Sequence, residues 1–365
     1  MMRILRLLAV TLLGATAPFA GFALDIEGAT VSEVAGGLDQ PWGVAQLPDG
    51  SLLVTERDGQ LLRIVDGQAA RVRGVPRVAA AGQGGLLDIT VARDFAQTRT
   101  IFMTYAKPQR GGSGTALAAA ELSADGRRLD NLRDLFESAL GGTTGRHFGS
   151  RVVEGQDGTL YVTIGDRGDR PSAQDRSLHN GSVVRVNRDG SVPRDNPYIG
   201  QADIQPEIWS YGHRNPQGAG LDARGTLWTA EHGARGGDEV NRVQKGANFG
   251  WPVISFGVHY SGAKIGQGSA AAGMEQPAHY WDPSIAPSGL MVYQGDMFPE
   301  WKGDMFVGSL KFNYISRLDV AGSRVSEVEQ IAGDATLRVR DIVEAPDGSI
   351  LFISVGNAAV YRISR

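Results

Sequence analysis

The 365-residue chain contains no cysteine. Thiol catalysis, cysteine-bound zinc and disulfide staples are therefore excluded. Its basic residues are scattered, with no polybasic run, which argues against nucleic acid as a partner. Beyond the N-terminal leader no apolar stretch is long enough to span a bilayer. Histidine is scarce, with six residues, none at the i, i+2 or i, i+4 spacing of a zinc site. A long, uninterrupted helical period is also missing.

The N-terminus carries a three-part pattern. Arg3 and Arg6 are followed by the apolar run Leu7 to Ala17 and by the small-residue site Gly21-Phe22-Ala23. This reads as a secretory signal peptide, residues 1–23, cleaved after Ala23. The alternative, a membrane anchor, is disfavoured by the shortness of the run. The expected location is periplasmic or secreted, with no membrane span after cleavage. The mature chain, 24–365, keeps 34 basic against 40 acidic residues, a formal charge of −6. No linker divides it, and a single domain is expected. An exported chain without disulfides needs a large core or bound ions, and this length permits such a core.

Glycine is abundant, with 50 residues, and short apolar runs end in Asp-Gly or Pro-Asp-Gly. One pattern recurs: a strand, an Asp-Gly-type turn and a second strand. Pro41–Ala45 leads through Pro48-Asp49-Gly50 into Ser51–Thr55, and Arg151–Val153 through Asp157-Gly158 into Thr159–Thr163. Gly218–Leu221 leads through Asp222–Gly225 into Thr226–Thr229, and Arg340–Val343 through Pro346-Asp347-Gly348 into Ser349–Ile353. Looser copies pair Leu86–Val91 with Thr100–Tyr105 and Gly289–Tyr293 with Gly303–Gly308. Six hairpins of one type predict an all-β, six-bladed β-propeller of four-stranded antiparallel blades, at about 57 residues per blade. A pair of β-sandwiches explains so regular a repeat less well.

Propeller sites lie at the central channel, so polar residues flanking inner strands are the candidates. His147 stands just before an inner strand, and its hairpin returns to Asp166. A histidine oriented by a carboxylate suits a general base, although a strand-capping histidine reads the same. In Gly212–Gly218, Arg214 and Asn215 stand side by side at a strand entrance, suited to a carboxylate ligand or to a structural corner. Glu231–Asn241 mixes glycines, whose backbone carbonyls are open, with clustered acids, oxygen chemistry that a hard cation such as calcium takes. Lys311, Arg338 and Arg340 would repel one another across a channel unless an anion joins them. The strand alternation puts both arginines on one face. A solvated charged edge is the plainer alternative.

These segments resemble the soluble quinoprotein glucose dehydrogenases, also called glucose/sorbosone dehydrogenases, and most closely the periplasmic aldose sugar dehydrogenase branch. The resemblance runs in order through Gln83–Leu87, Arg146–Gly149, Ile164–Gly168, Gly212–Gly218, Glu231–Gly233, Gly237–Asn241, Asn248–Pro252, Ala286–Gly289, Ser309–Lys311 and Arg338–Asp341. It implies oxidation of aldose sugars at the anomeric carbon with pyrroloquinoline quinone (PQQ) and Ca2+. It implies His147 as the base and Arg214 as the group that stabilises charge on the quinone. Gln83, Arg214, Asn215, Tyr260, Lys311, Arg338 and Arg340 would hold the cofactor. The carbonyls of Gly233 and Ala234 would bind the catalytic calcium, and Glu239 with the carbonyl of Phe249 a further, structural one. Arg146 stands where some members carry an acid, so their sugar preference does not transfer. The partners implied are a small-molecule sugar and an external electron acceptor. Two other readings compete: a calcium-dependent lactone hydrolase, which does not need the cation cluster, and a non-catalytic exported propeller that binds a partner.

Overall fold

A computed structural model describes residues 26, 28–322 and 324–365. The expected signal peptide and its cleavage point lie outside the described residues.

The turn chemistry explains the repeat. Asp49 Oδ1 accepts the Ser51 amide at 3.0 Å and its hydroxyl at 2.6 Å. Asp157 does the same for Thr159 and Asp347 for Ser349. In blade four Asp222 Oδ1 accepts the amides of Arg224 and Thr226. The next glycine in each turn, Gly50, Gly158, Gly225 or Gly348, has φ between 77° and 85°, which a residue with a Cβ resists. The aspartate closes the turn, the glycine permits it, and the flanking β-formers become paired strands.

Six such units build six four-stranded sheets, each antiparallel throughout. The innermost strands of blades one to six are Pro41–Gln46, Leu86–Val91, Val152–Glu154, Pro216–Leu221, Pro287–Val292 and Val339–Glu344. The predicted hairpins fall on these strands and their partners. In the sixth sheet the outermost strand comes from the other end of the chain. Thr30–Ala35 pairs with Ala359–Ser364, beginning Thr30 with Ser364. The molecule is a six-bladed β-propeller whose ring the N-terminal strand locks.

Apolar side chains fill each seam between neighbouring blades. Met291, Phe306, Ile342 and Phe352 pack between blades five and six. Leu53, Leu61, Ile89 and Met103 pack between one and two. The seam between blades three and four is thinner: its fully buried apolar side chains are Val183, Leu227 and Val243. The segments that enter and leave the inner hairpins of these two blades carry His147, Asp166, Arg214, Asn215, Gly233 and Ala234. Among the described residues no helix is long and apolar enough to cross a membrane.

Candidate active site

His147 lies in the loop that enters blade three. Gly145, His147, Gly149 and Ser150 all take positive φ, so the chain zigzags tightly against the strand Leu160–Ile164. A Cβ on Gly149 would stand 2.7 Å from the Thr163 carbonyl, and one on Gly165 only 2.3 Å from the His147 carbonyl. Glycine at both positions lets the two segments touch. For His147 the left-handed backbone carries strain.

That close approach brings His147 Nδ1 to 2.6 Å from Asp166 Oδ1. Asp166 is fully buried. Its Oδ1 also accepts the Gly168 amide at 2.7 Å, and its Oδ2 accepts Trp251 Nε1 at 2.8 Å. Burial would raise the Asp166 pKa, but the His147 hydrogen bond and charge, the Gly168 amide and Arg214 together hold it below its ordinary value. Burial pushes the His147 imidazole down, Asp166 opposes this, and Arg214 and Arg146 add to the lowering. The pair is thus an ionised carboxylate and a neutral imidazole at neutral pH. With Nδ1 on Asp166, Nε2 is the nitrogen left to take a proton.

Gln83 couples this pair to the channel, its Oε1 accepting the His147 amide at 2.7 Å. Gln83, Lys311, Arg338 and Arg340 line one cavity of about 640 Å³, together with Trp42, Arg57, Gln217 and His232. Its three arginines donate to neutral acceptors. Arg340 Nη1 donates to Gln217 Oε1 at 2.8 Å and Arg338 Nη1 to the Leu310 carbonyl at 3.2 Å. Arg57 donates to the Gly82 carbonyl and to the Gln40 side chain. The Lys311 ammonium lies 4.7 Å from the Phe312 ring. Burial, with Arg151, Arg338 and Arg57, pushes the Arg340 guanidinium down to about 9. Both arginines of the 338–340 pair reach this cavity as expected, but not by strand alternation. Arg338 has φ 54° and precedes the strand that contains Arg340.

Arg214 is buried, donates from Nη1 to the His232 carbonyl at 3.1 Å, and stacks 5.3 Å from Trp251. Among the described residues its Nε and His232 Nε2 have no hydrogen-bond partner. Buried donors without partners are rare in finished interiors, and these two flank the cavity. Asn215 is turned inward, where its Oδ1 accepts the Gly149 amide at 3.1 Å. Tyr260 is 71% exposed, within electrostatic range of Arg214. Neither Asn215 nor Tyr260 lines the cation cavity.

Gly233, Glu239 and Phe249 line a separate enclosed space of about 10 Å³ beside Arg214 and Glu231. Ala234 is buried against Trp251. Glu239 and Glu231 share the Asn241 amide, at 3.1 and 2.9 Å. Burial and the Glu231 charge push the Glu239 carboxyl up to about 8. Among the described residues no three acidic or imidazole side chains cluster as a metal set. Any ion here would rest on backbone carbonyls and on this pair of acids, donors that suit calcium.

The sequence reading missed Arg57, Trp42, Gln217, His232 and Glu231. Gln217 and His232 lay inside the motifs it singled out. Arg57 and Trp42 carried no motif.

Comparison with known proteins adds the family. The glucose/sorbosone dehydrogenase family model matches residues 38–362. The aldose sugar dehydrogenase YliI of Escherichia coli is 42% identical over 324 residues, covering 87% of each chain. The crystal structure of the soluble aldose sugar dehydrogenase of E. coli in its apo-form superposes with a TM-score of 0.88 at 40% identity, over 92% of this chain and 99% of that one. Quinoprotein glucose dehydrogenase B of Acinetobacter calcoaceticus is 26% identical over 405 residues, covering 88% of this chain and 84% of the relative. The chain belongs to the glucose/sorbosone dehydrogenase family.

Proposed function

We propose that the protein is an exported aldose sugar dehydrogenase that uses PQQ and calcium to oxidise aldoses at the anomeric carbon to lactones. The observation that carries this reading is the cavity in which Arg57, Lys311, Arg338 and Arg340 face one another beside the His147–Asp166 pair. Three arginines that donate to neutral groups, with Lys311 beside them, suit an anion of several charges. PQQ carries three carboxylates.

When bound, the quinone would supply the two-electron oxidant for the anomeric hydride, and calcium would supply Lewis acidity. His147 Nε2 takes the proton of the anomeric hydroxyl, so the lost hydride and proton are both accounted for. Asp166 holds the imidazole by Nδ1 and favours the imidazolium that results. Arg214, with a buried and unpartnered Nε, supplies a donor for negative charge growing on the cofactor. Gln83, Lys311, Arg338 and Arg340 hold the cofactor, with Arg57 and Gln217 added. Asn215 acts from behind, through Gly149, on the His147 loop. Tyr260, exposed and within electrostatic range of Arg214, would add a further contact to the cofactor. Gly233 and Ala234 would offer carbonyls to the catalytic ion, and Glu239 and Phe249 to a second one. The electron acceptor is external, and residues 1–23 direct export.

The names of the E. coli and A. calcoaceticus relatives support a sugar-oxidising quinoprotein. A lactone hydrolase would leave the cation cavity without a task. The test adds PQQ and calcium to purified apoprotein and follows quinone uptake and aldose-dependent dye reduction. Stoichiometric uptake with turnover is expected. No uptake, or lactone hydrolysis without quinone, would sink the reading.

A further inference from the structure

Beside the cation cavity one buried side chain joins several inner strands of the ring. Arg151 reaches inward from the entrance to blade three and is buried. Its Nη1 lies 2.8 Å from Asp88 Oδ1 and 2.6 Å from Asp341 Oδ1. Its Nε donates to the Gln217 carbonyl at 2.7 Å and its Nη2 to the Arg340 carbonyl at 2.9 Å. Its plane lies 4.3 Å from the Trp42 ring.

The two carboxylates are themselves fixed to the ring. Asp88 Oδ2 accepts the Val152 amide at 2.8 Å, and Asp341 Oδ2 accepts the Val44 amide at 3.0 Å. A Cβ on Gly289 would stand 2.6 Å from Asp341 Oδ1, so the inner strand of blade five abuts the same group. Every inner strand therefore touches this hub, directly or through one carboxylate.

The targets of Arg151 are specific. The two carbonyls it holds belong to Gln217 and Arg340, from blades four and six. Those two residues then join above it, Arg340 Nη1 to Gln217 Oε1, in the wall of the cation cavity. A planar guanidinium fixes both backbones at once, because its donors diverge in one plane. Lysine offers a point charge without that fork.

We propose that Arg151, clamped by Asp88 and Asp341, is a positioning residue that sets the Arg340–Gln217 pair for an anionic quinone. The inference rests on the cofactor reading above. Arg151 does not line the cation cavity; it acts through two carbonyls. A purely structural hub would hold the ring together and leave ligand affinity alone.

The test measures PQQ binding to calcium-loaded, quinone-free protein by tryptophan fluorescence, with the melting temperature of each variant recorded alongside. Arg151→Lys keeps a cation between the two acids and loses the fork. Its dissociation constant should rise about tenfold or more, the scale of one lost charge-assisted hydrogen bond. Arg340→Met should weaken binding in the parent but add much less in the Arg151→Lys background, because the two act in series. Gln217→Met breaks the same link from above without touching the hub. It should weaken binding in the same direction, and it decides the matter if Arg151→Lys does not fold. Parental affinity in Arg151→Lys at a lowered melting temperature overturns the proposal, as do independent, multiplying losses in the double variant. Parental affinity in Gln217→Met overturns it too. A parent protein that takes up no quinone defeats the cofactor reading instead, and this inference falls with it.

Discussion

Arg151 and Arg340 lie against the same indole, 4.3 and 5.7 Å from the Trp42 ring, yet their charges are handled in opposite ways. Arg151 sits between two carboxylates. Arg340 donates to an amide oxygen and faces two further cations, Arg338 and Arg57. Below the hub the channel opens into a second cavity of about 310 Å³, lined by Asp88, Arg151 and Asp341 among others, where every buried cation has its counter-charge. Above it the 640 Å³ cavity carries an excess of positive charge. Buried charges that only hold a fold together are paired, because an unpaired one costs several kcal/mol. Above the hub Arg57 and Arg340 are half-buried and Lys311 and Arg338 exposed, an excess of positive charge that the proposed anionic cofactor would neutralise. The lower cavity is both smaller and already neutralised.

The largest effect expected from breaking this contrast is catalytic. His147→Gln removes the base beside the upper cavity and should lower turnover about 10²–10⁴-fold. Quinone affinity should stay near parental, because the cofactor's carboxylates are held by other residues. Single-turnover kinetics with the quinone bound separate the two. Near-parental turnover with full occupancy, or a loss traced to missing cofactor, would remove His147 from the mechanism.

The same arginine-to-methionine change made above and below the hub should give opposite outcomes. Arg340→Met should weaken quinone binding by about 2–5 kcal/mol, a factor of tens or more. It should leave the quinone-free protein at least as stable, because it relieves repulsion among cations. Arg151→Met should instead lower apoprotein stability by about 3–5 kcal/mol, since it strands Asp88 and Asp341 without their partner. Denaturant titrations of both apoproteins decide it. Equal destabilisation by the two changes would erase the contrast.

A third comparison is with the small space at Glu239. There two acids, Glu239 and Glu231, share one amide, and the proposed second calcium would be their counter-charge. Calcium at 100 times its dissociation constant should stabilise the protein by about 2.7 kcal/mol. A chelator should reverse the gain. Glu239→Gln should abolish most of the calcium dependence of melting while leaving the quinone cavity intact. A variant that melts like the parent at every calcium level would reject the second ion.

The blades were legible in the sequence because a local rule makes them: an aspartate accepting from its i+2 partner and a glycine of positive φ between two strands. The looser hairpins of blades two and five were placed only by their spacing. His147 and Asp166 were legible because one hairpin joins them. Arg57 and Trp42 were not, since their place at the site follows from ring closure, which brings blade one beside blade six. No local pattern reports that. Arg151 was read as the start of a strand, and its four contacts come from residues 63 to 190 positions away. Asn215 carries a contact its motif did not report: its Oδ1 accepts the Gly149 amide, which ties the Arg214–Asn215 corner to the His147 loop across 66 residues of sequence.

The smallest and sharpest effect is in the pH profile. Burial and the nearby Arg214 lower the His147 pKa below its ordinary value of 6.5, and Asp166 alone works against them by hydrogen bond and charge. A base acts when neutral, so kcat/KM should be full above that pKa and fall as pH drops through it. The acid limb of the parent should therefore follow one group with a midpoint below 6.5. Asp166→Asn removes the only influence that favours the imidazolium. The midpoint should then move to still lower pH, while the plateau falls because the ring loses its anchor at Nδ1. A hydrogen-bonding role for Asp166 without charge would lower the plateau and leave the midpoint in place. A midpoint that moved upward would mean that Asp166 is not ionised beside His147, and the base assignment would lose its electrostatic support.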